Sequence, residues 1–377
     1  MYTINAKIKS KDKEYPIFVG SNVLGKLADF VKQNHAGKKV AVIIGENANR
    51  LHKDKINNAL KELNPLFITV PSGESSKSME MKEKIEDKLL NNKFGRDSLI
   101  IAIGGGVIGD LSGFVASTFN RGIPIIHVPT TLLAMVDSSI GGKTAINTKH
   151  GKNLIGTTYQ PNAVFADMDF LQTLPDEEFR NGLAEVIKMS VIIDKNLFET
   201  LEKNHKKILA RDKDALQEII KRNVELKKEV VEQDAEESGL RQILNFGHTF
   251  GHALEAFYNY KIKHGYAVSQ GIIVESKISA TVNNLKKHED ENIINIINIF
   301  GFPFLVNPDV NTSKIIELMK SDKKSRGNKP RFVLIDKIGK AKSKGNNFSF
   351  EIDKDIIENA IERCKDEYDE KTGKIIE

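Results

Sequence analysis

Leu99-Ile100-Ile101-Ala102-Ile103-Gly104-Gly105-Gly106-Val107-Ile108-Gly109-Asp110 is the stretch on which the fold turns. An apolar run without alternation, Leu99 to Ile103, describes a strand buried on both faces, the texture of a parallel α/β sheet. The glycines that follow satisfy G-x-G-x-x-G between a strand and a helix start, where bare backbone and helix N–H groups approach a diphosphate. A plain tight turn from strand to helix satisfies the same pattern. The acidic residue that a dinucleotide fold places about 20 residues further on is missing, since that region reads Ile125-Ile126-His127-Val128.

Runs of the same kind flank this one: Val40-Ala41-Val42-Ile43-Ile44, Leu66-Phe67-Ile68-Thr69-Val70 and Ile123-Pro124-Ile125-Ile126-His127-Val128. With helical stretches between them, they predict an α/β nucleotide-binding domain over residues 1–170. From Leu174 the texture changes. Pro175 followed by Asp176, Glu177 and Glu178 is a helix start whose acids complement the dipole, and helical periodicity then runs through Leu201, Ile208, Ile219, Leu226, Leu254 and Ile278. Residues 171–377 are therefore expected to form a mainly α-helical domain. Late strands are expected at Phe332-Val333-Leu334-Ile335 and Phe348-Ser349-Phe350-Glu351-Ile352, before a last amphipathic helix around residues 356–364. No Pro/Ser-rich linker separates the halves, so the junction near Leu171 should be tight and its cleft a place for a ligand.

The chain has 377 residues, 40% hydrophobic and 28% charged, which suits a soluble globular protein of about two domains. Fifty-six Lys+Arg against 51 Asp+Glu give a net charge of +5, which admits anionic substrates. It lacks the dense basic tracts of a nucleic-acid binder, and no nucleic-acid partner is expected. A single cysteine, Cys364, excludes an intramolecular disulfide and a cysteine-based zinc site, so any metal must use His and carboxylates. Residues 2–9 alternate apolar and polar side chains, and no stretch approaches the roughly 18 apolar residues of a membrane span. A cytoplasmic location without a membrane partner is expected.

Asp137-Ser138-Ser139-Ile140-Gly141-Gly142-Lys143-Thr144 ends like a Walker A loop, but Asp137 stands where the leading glycine belongs, and a P-loop NTPase is excluded. What remains is a glycine turn carrying Asp137 and Lys143, followed by Gly151-Lys152-Asn153; solvated loop lysines are the alternative. In Arg241-Gln242-Ile243-Leu244-Asn245-Phe246-Gly247-His248-Thr249-Phe250-Gly251-His252, two imidazoles stand four apart on one helix face. That spacing suits a metal and equally an interface or core pair. His264 follows, and Gly182-Leu183-Ala184-Glu185-Val186-Ile187-Lys188 sets Glu185 and Lys188 on one face of an earlier helix, where an ordinary ion pair is the alternative. Two imidazoles and one carboxylate from three helices would give zinc an open three-ligand site. The basic run Lys320, Lys323, Lys324, Arg326, Lys329 and Arg331 is either a solvated loop or an anion clamp.

Taken in order, several segments resemble the 3-dehydroquinate synthase family of sugar-phosphate cyclases, over essentially the whole chain. They are Pro71-Ser72-Gly73-Glu74-Ser75-Ser76-Lys77, Gly104 through Asp110, Arg121-Gly122, Pro129-Thr130-Thr131-Leu132-Leu133-Ala134, Asp137 through Lys143, Gly151-Lys152-Asn153, Gly182 through Lys188, and Asn245 through His252 with His264-Gly265. The resemblance implies a homodimeric carbon–oxygen lyase acting on phosphates, dependent on NAD+ and on Zn2+ or Co2+. Its place is the shikimate pathway to chorismate and the aromatic amino acids. It would convert 3-deoxy-D-arabino-heptulosonate 7-phosphate to 3-dehydroquinate and phosphate by transient oxidation with NAD, phosphate elimination, re-reduction and intramolecular aldol closure.

The same resemblance implies site residues. Glu185, His248 and His264 would hold the metal. Glu74 and Lys77 would meet the adenosine part of NAD, Gly105 and Gly106 the diphosphate, Thr130 and Thr131 the cofactor's middle and Asp137 the nicotinamide side, with Asp110, Lys143 and Lys152 also bordering the cofactor. Lys143, Asn153, Asn245 and His252 would surround the substrate phosphate, joined by Arg121 of the partner subunit and by Lys323 or Lys324. Lys188, Lys227 and Arg241 would hold hydroxyls and carboxylate. One position departs from the pattern: in Ile44-Gly45-Glu46-Asn47, Gly45 stands where the family usually has an Asp for the adenine ribose. Either Glu46 takes that role or the contact is lost. Metal-dependent polyol dehydrogenases, the nearest rival class, would not need so many cations for a phosphate. Against other sugar-phosphate cyclases, Gly151-Lys152-Asn153 and Arg241 with Lys227, suited to a substrate carboxylate, favour the dehydroquinate synthase reading.

Overall fold

The computed structural model describes residues 14–303, 306–321 and 329–366, together with 368–369 and 374–375. Residues 2–9, and Lys323, Lys324 and Arg326 of the basic run, lie outside the described residues. By contact, the chain separates into two compact units. The first takes described residues up to 18, 23–128 and 142–166; the second takes 19–22, 129–141 and those from 167 onward.

The first unit alternates strands and helices: β1 (Ile17–Gly20), α1 (Leu27–Asn34), β2 (Lys39–Gly45), α2 (Glu46–Leu60), β3 (Leu66–Val70), α3 (Met79–Asn91), β4 (Ser98–Gly104) and α4 (Gly106–Thr118). It continues through β5 (Ile125–Pro129), β6 (Lys143–Thr148), β7 (Gly151–Thr158) and β8 (Ala163–Asp167). Six strands form one sheet in the order β1-β8-β5-β4-β2-β3, with β2 parallel to β3 and β4, and β5 parallel to β8. β4 and β5 are buried along their whole length, as an uninterrupted apolar run requires in a sheet covered on both faces. Leu111, Phe114 and Val115 of α4 pack on Ile43, Ile68 and Ile100 of the sheet.

The connection order reverses between β2 and β4: the chain steps outward from β2 to β3 and then returns to β4 and β5. Open α/β sheets bind ligands beyond the carboxyl ends of strands at such a point. Here those ends are Gly45 and Gly104, with Ile44 and Ile103 paired in register just before them. The segment after Gly142, read from sequence only as a glycine turn, is an antiparallel hairpin of β6 and β7 outside the main sheet.

The second unit contains α5 (Asp176–Ile193), α6 (Lys195–Leu209), α7 (Lys213–Gln233), α8 (His248–Phe257), α9 (His264–Asn283), α10 (Lys287–Ile299), α11 (Thr312–Ser321) and α12 (Lys354–Asp366). Pro175 stands immediately before α5, and Asp176, Glu177 and Glu178 fill its first turn, as the sequence predicts. Asp194 and Asp212 cap α6 and α7 with their carboxylates, each accepting backbone N–H groups. The two expected late strands are shorter than predicted. β9 (Arg331–Phe332) pairs with β12 (Phe350–Glu351), and β10 (Ile335–Lys337) pairs with β11 (Lys340–Ala341), while Val333 and Leu334 lie between the ladders with buried side chains. A last pair, β13 (Tyr368–Asp369) with β14 (Lys374–Ile375), follows α12. No helix among the described residues is long and apolar enough to cross a membrane.

Candidate active site

In the α/β unit the site is chiefly backbone. β4 runs into Gly104, and Gly105, in an extended conformation, precedes α4 without a side-chain cap. Of the N–H groups in the first helical turn, those of Ile108 and Gly109 donate to the Gly105 carbonyl at 3.1 Å each, which leaves those of Gly106 and Val107 at the helix start for an anion. Gly104 is required by close approach: a Cβ there would lie 2.5 Å from Ile108 Cγ1. An uncapped helix start behind a bare glycine turn fits a diphosphate of a dinucleotide.

Beside that turn, Lys77 is buried with its ammonium on the Asp110 carboxylate and on Asn153 Oδ1. Asn147 ties the group together: its backbone N–H donates to the Lys77 carbonyl at 2.8 Å and its side-chain amide to Glu74 Oε1 at 2.8 Å. Its own Oδ1 accepts the Asn153 N–H at 3.1 Å. Sequence reasoning missed Asn147, because its partners come together only once the β6–β7 hairpin is folded.

In the helical unit the site is buried charge. Glu185 and Lys188, one turn apart on α5, are each 1% exposed, and Lys188 Nζ donates to Glu185 Oε2. Glu185 Oε1 is buried without a hydrogen-bond partner, and it faces His248 Nε2 at 3.5 Å and His264 Nε2 at 3.4 Å. The three ligand atoms lie within 4.8 Å of one another. His248 Nδ1 lies 3.1 Å from the Phe246 carbonyl, which only accepts, so Nδ1 carries the hydrogen and Nε2 presents its lone pair. An orphaned carboxylate oxygen opposite two imidazole nitrogens is a donor set for a divalent cation.

Electrostatics agree with that assignment. Burial alone would raise the Glu185 carboxyl, but Lys188 and His264 beside it outweigh burial and hold it below the usual carboxylate range. Burial lowers His264, yet Glu185 and Glu255 push it up to about 10, so a cation binding at Nε2 would displace a proton. His252 completes the cluster, its ring centroid 5.3 Å from that of His248.

Further cations stand close by in the same unit. Lys227 of α7 is buried and donates to the Asp137 carboxylate, and to the Asp137 carbonyl at 2.6 Å. Burial lowers Lys227, and Asp137 only partly offsets this; Asp137 itself is raised by burial but held below its ordinary value by Lys227. Arg241 is 2% exposed and donates to the carbonyls of Ala235 at 2.8 Å and Gly141 at 3.3 Å, while its Nε is buried with no acceptor. Asn245 donates to Glu237 Oε1 at 2.7 Å, a carboxylate that sequence reasoning did not single out.

Two family descriptions match in tandem: 3-dehydroquinate synthase N-terminal over residues 67–181, and 3-dehydroquinate synthase C-terminal over 182–325. A 3-dehydroquinate synthase of Thermodesulfovibrio yellowstonii is 44% identical over 339 residues, covering 89% of this chain and 94% of the relative. The chain belongs to the 3-dehydroquinate synthase family. Two solved structures of sugar-phosphate cyclases share its fold. A 2-deoxy-scyllo-inosose synthase complexed with carbaglucose-6-phosphate, NAD+ and Co2+ superposes with a TM-score of 0.86 at 25% identity, covering 94% of this chain and 98% of the other. A 2-epi-5-epi-valiolone synthase from Streptomyces hygroscopicus with NAD+ and Zn2+ bound gives 0.85 at 25% identity, covering 96% and 99%.

Within this member of the 3-dehydroquinate synthase family, the remaining expected residues fall as follows. Asn153, expected at the phosphate, has φ of 57° and is held by Lys77 in the α/β unit. Lys143 opens β6 and is exposed, and Lys152 is half-buried at the start of β7. Thr131 Oγ1 accepts the Ala134 N–H at 3.2 Å and caps the turn leading to Asp137; Thr130 is half-buried just before it. Arg121 lies in the exposed turn after α4, in the left-handed region with φ of 67°. Gly45 ends β2 against Ile108, whose Cγ1 would lie 3.2 Å from a Cβ there. Glu46 is the first residue of α2, and its Oε2 accepts the Ser72 N–H at 3.2 Å. From the basic run, Arg331 is spent on Ser349 and Glu351, and Lys329 on Glu351.

Proposed function

We propose that this chain is a 3-dehydroquinate synthase, converting 3-deoxy-D-arabino-heptulosonate 7-phosphate to 3-dehydroquinate and phosphate with no net redox change. The observation that carries this reading is the convergence of Glu185 Oε1, His248 Nε2 and His264 Nε2 beside the buried cations Lys188 and Lys227. Glu185, His248 and His264 would hold the zinc or cobalt, and the Gly105–Gly106 turn with Glu74, Lys77, Asp110, Thr130, Thr131, Asp137, Lys143 and Lys152 would hold NAD. When bound, the metal supplies a Lewis acid for a substrate hydroxyl and NAD a reversible hydride acceptor.

The chain's own groups do the rest. Lys188 and Lys227 orient substrate hydroxyls and stabilise negative charge that develops on oxygen in a site with little water, where such charges act strongly. Arg241, with a buried Nε lacking an acceptor, is suited to the substrate carboxylate. Lys143, Asn153, Asn245 and His252 hold the phosphate until it leaves, and His252 moves protons near it. A homodimer in which Arg121 of the partner subunit joins the phosphate site belongs to the same reading, as does a cytoplasmic location. A dehydrogenase with this fold would have no use for so many phosphate-directed cations.

The test is phosphate release from the heptulosonate 7-phosphate with NAD well below substrate, while absorbance of NADH is followed. Many phosphates per NAD, without NADH accumulating and abolished by a chelator, is the expected result. NADH formed in proportion to turnover, or no phosphate released by zinc-loaded protein, sinks the reading.

A further inference from the structure

Glu255 was not among the expected site residues, yet it is 6% exposed and its Oε2 lies 3.5 Å from His264 Nδ1. We infer that Glu255 is a positioning residue for the metal site, its carboxylate holding His264 by Nδ1 so that Nε2 is aimed at Glu185 Oε1 and the ion between them. The inference rests on the metal reading proposed above and deepens it.

The argument starts from helix geometry. His248, His252 and Glu255 stand at i, i+4 and i+7 on α8, one stripe of one face. His264 opens α9, and the backbone around it is fixed from two sides. Gly265 N–H donates to Asn181 Oδ1 at 2.6 Å, and a Cβ at Gly271 would lie 1.9 Å from the Gly247 carbonyl oxygen, so α8 and α9 are in backbone contact. With the main chain held, the freedom left to His264 is rotation of its ring. A half-turn exchanges the edges that face Glu185 and Glu255.

A carboxylate only accepts, so Glu255 selects the tautomer with hydrogen on Nδ1 and leaves the Nε2 lone pair for a cation. The two imidazole ligands thus have different supports: a backbone carbonyl behind His248 and a carboxylate behind His264. A carboxylate behind an imidazole makes it a stronger donor, and such partners typically contribute 10–100-fold in metal affinity. The alternative use of the same atoms is a second cation site, since His252, Glu255 and His264 also bring ligand atoms within 4.8 Å of one another.

The experiment uses the full chain, stripped of metal, as parent, Glu255→Gln and Glu255→Asp. Zinc affinity is measured by competition with a chromophoric chelator, zinc stoichiometry by titration, the site by the visible spectrum of the Co2+ form, and folding by melting without metal. Expected for Glu255→Gln, which keeps the shape, is one zinc per chain as in the parent but bound about 10–100-fold more weakly. Shifted Co2+ bands should accompany it, with a metal-free melting point within about 2 °C of the parent. Glu255→Asp should retain more affinity than Glu255→Gln, because it keeps the charge. Zinc affinity of Glu255→Gln within twofold of the parent overturns the inference, as does a second zinc per parent chain that the substitution abolishes. Equal loss of affinity and of metal-free folding in both variants also overturns it. If His248→Ala leaves parent-like zinc uptake, the metal reading itself fails; if only Glu255→Gln binds normally, that reading stands and the positioning role falls.

Discussion

In the α/β unit the groups that Gly104 to Gly106 would offer a ligand are main-chain N–H donors at an uncapped helix start, whereas in the helical unit the candidate groups are side chains carrying charge inside the protein. A backbone site is set by what is missing: a Cβ at Gly104 has nowhere to go, and the side chains around it need only be apolar. A charge site is set by what is present, because each buried ion must keep its counter-ion or leave a group desolvated and uncompensated. Lys77, buried between Asp110 and Asn153, is where the α/β unit departs from this rule. Two kinds of substitution should therefore separate the units.

The largest effect is expected from Glu185→Gln, which preserves volume and removes the charge facing His248 and His264. Zinc should be lost and phosphate release should fall by about a thousandfold or more, the scale of removing a metal's Lewis-acid contribution. NAD binding, measured on the same protein, should persist. A variant retaining more than a tenth of parental turnover would break the comparison. Next in size is Lys227→Met, which strips Asp137 of the ammonium it accepts from. Removing one member of a buried pair costs several kcal/mol, and since the Asp137 side chain is 33% exposed, water recovers part of that, leaving about 2 kcal/mol. Urea unfolding at neutral pH measures it, and a loss below about 0.5 kcal/mol, the scale of an ordinary surface change, would mean that Asp137 finds another partner.

The same division explains what could be read before the fold was known. The strand Leu99 to Ile103 and the glycines after it are contiguous, so both the fold class and the glycine turn between β4 and α4 were legible from one short window. His248 and His252 were legible as a helical pair because their spacing is local. That His264 and Glu185 join His248 was implied by resemblance and not by spacing, since the candidate ligand atoms come from three helices, α5, α8 and α9. Glu255 was overlooked although it continues the α8 stripe, because its partner arrives from across the turn into α9. Lys77 carried no sign in the sequence of being buried. The late strands were overextended because Val333 and Leu334 look like strand residues but are buried outside the ladders.

Gly104→Ala tests the backbone side of the comparison. The added methyl meets Ile108 Cγ1 at 2.5 Å, so either α4 shifts or Ile108 leaves its rotamer, at about 1–2 kcal/mol. NAD affinity should weaken by about tenfold as the helix start moves, which isothermal titration resolves. Zinc affinity should stay within twofold. Loss of both together would mean that the two sites are not built independently.

The smallest expected effect concerns His127 on β5, buried beneath Gly109 and Gly113 of α4. Burial lowers its pKa from 6.5 to about 4, and no counter-charge opposes the shift, unlike the paired ions of the helical unit. The unfolded chain takes up this proton near pH 6.5, while the folded chain resists until about pH 4. Between those values the unfolded state binds more protons, so the contribution is complete above pH 6.5 and is lost as the pH falls. From pH 7 to pH 5.5 the loss amounts to about 1 kcal/mol by linkage. Glu185 and Asp137, held below their ordinary range, remain ionised over that interval and do not add to it. His127→Leu removes the titration while keeping an apolar side chain against α4. The opposite contribution of His264, whose raised pKa adds stability as the unfolded chain takes up its proton, is common to both proteins. Relative to the parent, the variant's unfolding free energy should therefore be about 1 kcal/mol higher at pH 5.5 than at pH 7. Equal pH slopes in the two proteins would place the acid sensitivity elsewhere, and the contrast between an uncompensated imidazole in one unit and paired ions in the other would lose its thermodynamic meaning.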